Sequence, residues 1–185
     1  MKIAVYSGSF NPLHIGHLAI MEHLTHQMDF DMVYLVVSPK NPLKDDILAS
    51  SSVSRYEAAC EAVARHPELH VKVDPIELGM EPPYYTIRTL DALKGREPEN
   101  EFTLVIGGDQ LAAFRRWRDY DRILRDYGIA VFPREGFDSA ADAESLLAED
   151  PSYKIRLADF VRVDVSSTQI REMLSRGEDA GALLM

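Results

Sequence analysis

The chain has 185 residues, with 30 Asp plus Glu against 20 Lys plus Arg, a formal net charge of −10 with His neutral. The surplus is even: residues 1–92 carry 7 basic and 12 acidic side chains and residues 93–185 carry 13 and 18, which leaves each half at −5. With no basic half, arm or tail, duplex nucleic acid is excluded as a main partner, because phosphate neutralisation dominates that affinity; a nucleotide needs only a few local donors and is not excluded.

Along the chain, residues 2–7 read as a short buried strand and residues 8–14 as a loop punctuated by Gly8, Asn11 and Pro12. Residues 15–27 are helical, with Ile20, Leu24 and Met28 at i, i+4 and i+8. Residues 32–37 (MVYLVV) form a second strand, followed by the turn-rich 38–46. Ser54 with Glu57 three residues on has capping-box spacing and opens a helix that runs through Val63 and stops before Pro67. Residues 70–73 read as a strand, 86–93 as a helix, and 102–106 (FTLVI) as a strong strand running straight into Gly107, Gly108 and Asp109. Strands follow at 128–132 and 160–163, and Ser166 caps a last helix to Arg176, with Gly177 past its end. The acidic stretch 138–150 reads as a loop or a solvated helix.

Strands alternating with helices imply right-handed βαβ units. The expected class is α/β, one Rossmann-like, doubly wound parallel sheet with helices on both faces and a single domain over residues 1–185. Cys60, the one cysteine, reads as a small core hydrophobe and permits no intramolecular disulfide. No apolar run approaches the roughly 18 residues of a membrane span. The N-terminus lacks the features of a secretory signal. A cytoplasmic setting away from membranes is the expectation; the sequence carries no signal for oligomeric state.

Ligands of such sheets collect at the carboxyl ends of the strands, and the chemistry-bearing residues cluster there. In the segment SGSFNPLHIGH (7–17), Gly8 and Ser9 offer backbone N–H groups without bulk. Pro12 sets the turn, and Gly16 allows close approach where the first helix begins with its positive end. His14 and His17, three apart, can point the same way and donate to phosphate oxygens without a permanent charge. An H-x-x-H pair also suits a metal, but no Cys and no third His stands at ligand spacing, so no protein metal site is expected. Ser166, Ser167 and Thr168 with Arg171 one turn on make a second anion-binding helix start, though a plain capped helix reads the same way. After the 102–106 strand, Gly107 and Gly108 let backbone approach a ligand and Asp109 suits ribose hydroxyls. Trp117, the only Trp, can stack on a heteroaromatic ring or anchor the core. Lys40, Asn41 and Lys44 follow the second strand, and Tyr85 and Thr86 open a helix.

With these residues in place the chain resembles the nucleotidyltransferase superfamily, whose first signature matches Gly8-Ser9-Phe10-Asn11-Pro12-Leu13-His14-Ile15-Gly16-His17 and whose second matches Val165-Ser166-Ser167-Thr168-Gln169-Ile170-Arg171. Within it the nearest resemblance is to the nicotinate-nucleotide adenylyltransferases, through Asn41-Pro42-Leu43-Lys44, Tyr85-Thr86-Ile87-Arg88-Thr89-Leu90, Ile106-Gly107-Gly108-Asp109 with Trp117, and Arg134. It covers nearly the whole chain. Arg118 stands where relatives often have an aromatic residue, and many relatives continue past the position of Met185. The resemblance implies transfer of AMP from ATP to nicotinate mononucleotide with release of pyrophosphate, and Mg²⁺ carried mainly by ATP. It implies His14, His17 and Arg171 as catalytic groups on ATP phosphates, with Gly8, Ser9, Phe10, Gly16, Gly107, Asp109, Ser167 and Thr168 also in the ATP site. Asn41, Lys44, Tyr85, Thr86, Asp109, Trp117 and Arg134 are implied for the mononucleotide. The alternative is a relative acting on another phosphate acceptor, such as phosphopantetheine or glycerol phosphate.

Overall fold

The structure is a computed structural model that describes residues 1–39 and 51–185. Its strands are β1 (Lys2–Gly8), β2 (Met32–Val37), β3 (Val71–Asp74), β4 (Glu101–Gly107), β5 (Ile129–Phe132) and β6 (Ile155–Leu157). They form one sheet in the order β3-β2-β1-β4-β5-β6, every neighbour parallel. The helices are α1 (Ile15–His26), α2 (Ser52–Ala64), α3 (Thr86–Arg96), α4 (Gly108–Ala112), α5 (Tyr120–Arg122), α6 (Ser139–Glu149) and α7 (Ser167–Ser175).

The near-continuous apolar runs of β2 and β5 are what a parallel strand covered on both faces requires, and β5 is buried throughout. The pleat divides β1 between two cores. Ile3 and Val5 pack with Ile87, Leu90 and Leu93 of α3, while Ala4 packs with Met21 and Leu24 of α1 and Ala59 and Ala62 of α2. The sheet is therefore doubly wound, as the alternating pattern predicts. The chain steps outward from β1 to β3, returns to lay β4 beside β1, and steps outward again to β6. At that reversal the carboxyl ends of β1 and β4 part and leave a crevice, the usual ligand position in such sheets.

Three sequence expectations shift. The sixth strand is Ile155–Leu157, not 160–163: β6 pairs with β5 through Ile155, Arg156 and Leu157, and Val161 beyond it is 90% exposed. A three-residue edge strand with a central Arg has no apolar period to read, whereas the apolar letters at 160–163 serve a different purpose, Phe160 laying its ring edge-on against Phe132 and His23. Helix α2 is capped by Ser51, whose Oγ accepts the Ser54 N–H at 3.1 Å, so it starts ahead of the expected Ser54–Glu57 box; several serines offer equivalent caps, and burial of Arg55, Ala59 and Ala62 selects the register. Cys60 is partly exposed instead of lying in the core. The acidic stretch forms α6, capped by Asp138 and anchored by buried Ala143 and Leu146. Among the described residues, no helix is long and apolar enough to cross a membrane.

Candidate active site

Strand β1 ends at Gly8, and the chain turns through Phe10, a non-glycine residue in the left-handed region at φ 45°. The turn is held by its side chain: the Phe10 ring is buried edge-on against Tyr6 and His17, with centroids 5.3 and 5.2 Å apart. The second signature grips the first. Arg171 Nη1 donates to the Asn11 carbonyl at 2.7 Å, and Ser167 Oγ donates to the Pro12 carbonyl at 3.0 Å. Ser166 caps α7 by accepting the Gln169 N–H, as the sequence predicts. Two motifs some 150 residues apart thus meet through side chains that hold a loop, while Arg171 Nη2 rests on Thr168 Oγ1 at 3.2 Å.

The two histidines form a reciprocal cap at the start of α1. His14 Nδ1 accepts the Gly16 N–H and His17 Nδ1 accepts the His14 N–H, both at 3.1 Å. An imidazole nitrogen that accepts carries no proton, so each neutral ring must carry its proton on Nε2. Burial holds His14 down to about 4, helped by the charge of Arg134, and holds His17 down to about 3, with His14 and Arg134 adding to it. Both rings are therefore neutral Nε2–H donors at pH 7. They stack with centroids 3.7 Å apart, which two imidazolium ions would resist. Gly16 makes this possible: a Cβ there would stand 2.9 Å from His14 Cε1.

Across the crevice, β4 delivers Gly107, whose N–H is taken by Gln110 Oε1 at 2.9 Å. A Cβ on Gly107 would fall 2.5 Å from Asp109 Oδ1 and 3.0 Å from Arg134 Nε, so only glycine lets these two side chains lie over the strand end. Arg134 and Asp109 pair at 3.6 Å, both about half exposed. Such a pair is worth only about 0–1 kcal/mol, and an arriving phosphate can take the guanidinium at small cost.

Ser9, His14, Gly16, His17, Gly107, Arg134, Ser167, Thr168 and Arg171 line one cleft of about 260 Å³, whereas Gly8, Phe10 and Asp109 of the expected ATP site do not line it. A cavity of about 420 Å³ lies at the amino edge of the sheet, between Lys94, Thr103 and Lys154. It contains no signature residue and sits at the wrong end of the strands for this fold. The predicted mononucleotide residues divide. Trp117 is half-buried against Phe114 and the α3-side core, and Tyr85, at the N-cap of α3, is 44% exposed beneath Arg118, whose guanidinium carbon lies 5.7 Å from the ring centroid. Tyr85, Thr86 and Trp117 do not line the cleft, and Asn41 and Lys44 lie outside the described residues. Among the described residues, no group of three or more His, Cys, Asp or Glu could hold a metal ion.

The cleft also takes in residues that the sequence does not single out for the site: Tyr6, Gln110, Phe132, Phe160 and Arg162. Tyr6 was legible in principle, since strand alternation puts it on the α1 face with Ala4; burial pushes its hydroxyl well above the usual tyrosine range against the pull of Arg134. Arg162 carries no sequence signal, because the apolar letters around it at 160–163 have the pattern of a strand.

The cytidylyltransferase-like family model matches residues 5–173. A Bacteroides fragilis protein named probable nicotinate-nucleotide adenylyltransferase is 38% identical over 178 residues, covering 96% of this chain and 84% of the relative. A Flavobacterium johnsoniae protein of the same name is 36% identical over 184 residues, covering 100% and 92%. Among solved structures, Plasmodium falciparum nicotinic acid mononucleotide adenylyltransferase complexed with NaAD superposes with a TM-score of 0.76 at 18% identity, over 96% of this chain and 86% of that one. Full-length similarity, the doubly wound sheet and the two interlocked signatures agree: the chain belongs to the cytidylyltransferase-like family of nucleotidyltransferases.

Proposed function

We propose that the chain transfers the adenylyl group of ATP to nicotinate mononucleotide, releasing pyrophosphate and forming the deamido precursor of NAD. The observation that carries this reading is the pair of neutral Nε2–H imidazoles at the start of α1, facing Arg171 and Arg134 across one cleft. In the reaction a phosphate oxygen of the mononucleotide attacks the α-phosphorus of ATP as the bond to the pyrophosphate oxygen breaks in line. No covalent enzyme intermediate is needed, so the protein supplies position and charge stabilisation.

His14 and His17 donate from Nε2 to ATP phosphate oxygens, and Arg171 adds a permanent charge from the far wall. Gly8, Ser9, Phe10, Gly16, Gly107, Ser167 and Thr168 shape the ATP site around them. Asp109 serves a ribose, and Arg134 and Lys44 serve phosphates. Asn41, Tyr85, Thr86 and Trp117 are assigned to the nicotinate end, beyond the lining of the cleft, with Arg118 standing over the Tyr85 ring. Mg²⁺ enters as the counter-ion of ATP, in keeping with its reluctance to occupy an all-protein cage. The partners are these two nucleotides, with no role for nucleic acid or membrane, and the working compartment is the cytoplasm. A panel of phosphate acceptors assayed for pyrophosphate release with ATP and Mg²⁺ tests the reading. Nicotinate mononucleotide should turn over best and nicotinamide mononucleotide less well; turnover with phosphopantetheine or glycerol phosphate alone would contradict it.

A further inference from the structure

Arg55 belongs to neither signature, yet it is the charged side chain most deeply placed beside them. It lies in the first turn of α2 at 6% exposure. Its Nη1 donates to the Ser9 carbonyl at 2.7 Å and to the Ser38 carbonyl at 2.9 Å. No carboxylate pairs with it among the described residues, and burial lowers its pKa. Among the described residues this buried guanidinium is held by carbonyl dipoles alone, a costly way to pack a helix, and on the same helix face Ala59 and Ala62 pack without charge.

What the residue supplies is geometry. The ends of β1 and β2 are already tied by Ser38 N–H to the Gly8 carbonyl at 2.9 Å and by the Ser7 and Ser38 hydroxyls at 2.9 Å; Arg55 makes the third tie. Because the peptide is planar and trans, drawing the Ser9 carbonyl toward Arg55 turns the Phe10 N–H the opposite way. That N–H donates to no group among the described residues. The same peptide leads into Phe10 at φ 45°, whose ring stands against His17. The first signature therefore has each of three carbonyls held from outside: Ser9 by Arg55, Asn11 by Arg171 and Pro12 by Ser167.

We propose that Arg55 is a positioning residue for adenylyl transfer, its guanidinium fixing the Ser9–Phe10 peptide and, through the Phe10 ring, the seat of His17. The proposal rests on the transfer reading above. It is tested by steady-state pyrophosphate release from R55M and R55K, with thermal unfolding midpoints measured on the same samples. R55M should lose on the order of 10²-fold in kcat/KM for ATP per folded molecule, the scale of a displacement of about 1 Å in a reacting constellation. R55K should recover about tenfold of that, since an ammonium reaches the carbonyls as a point charge without the fork. Wild-type kcat/KM in folded R55M, whatever its melting point, would overturn the proposal, because a purely structural arginine changes stability and leaves the kinetics of folded molecules alone. Should R55M not fold, R55K with wild-type kcat/KM per folded molecule, whatever its melting point, overturns it. Wild-type protein that fails to turn over in the same assay would instead sink the transfer reading.

Discussion

His17→Ala is expected to lower kcat by on the order of 10²- to 10³-fold, the scale of losing one preorganised donor to developing charge. The imidazole is fixed on three sides: its Nδ1 takes the His14 N–H, its ring stacks on His14, and Phe10 and Tyr6 close the remaining faces. A donor held this way needs no reorganisation as charge builds on the phosphates, and the buried setting makes the bond stronger than it would be in water. Truncation also uncaps the His14 N–H, so His17→Gln, which keeps a side-chain donor, should retain more activity than His17→Ala. Steady-state kcat measured on folded variants decides; His17→Ala turning over normally would remove this ring from the chemistry.

Arg171 acts in two capacities, and its loss should be comparable. Its Nη1 holds the Asn11 carbonyl and its Nη2 the Thr168 hydroxyl, which leaves the remainder of the fork for phosphate. Arg171→Ala therefore removes a cation and frees the first signature loop together. A fall in kcat/KM for ATP of on the order of 10²- to 10³-fold is expected. Arg171→Lys restores the charge but not the planar fork that spans two acceptors, and should recover only part of the activity. Full activity in Arg171→Lys would show that charge alone matters and that the grip on Asn11 does not.

The readable parts of this fold were those where burial imposes a pattern. Strands β1, β2, β4 and β5 are central and covered on both faces, so their apolar runs stand out, and the Gly-rich turn after β1 follows from the need to bring backbone and imidazoles close to anions. Strand β6 escaped because an edge strand of three residues with Arg156 at its centre has no period. The α2 cap was misplaced because neighbouring serines are equivalent until tertiary packing chooses among them. Arg55 had no signal at all: an arginine on a helix of mixed composition reads as a solvated charge, and only the meeting of the β1 and β2 ends shows that it is enclosed. The tautomers of His14 and His17 were likewise invisible as spacing, although an i, i+3 pair at a helix start is also the geometry of a capping box.

The neutral state of these rings has a pH consequence whose sign follows from their depressed values. With folded values of about 4 and about 3 against about 6.5 in an unfolded chain, the unfolded state takes up protons first. Stability is unaffected well above pH 6.5, then falls as pH drops from about 6.5 toward those folded values. The most direct measurement is a long-range ¹H–¹⁵N NMR titration of the His14 and His17 imidazoles, assigned with single-site variants. Both should show the Nε2–H tautomer and stay neutral from pH 8 down to about 5.5, ordinary histidine having largely protonated by then. Titration of either ring near pH 6.5, or an Nδ1–H tautomer, would contradict a cleft built on two neutral imidazole donors.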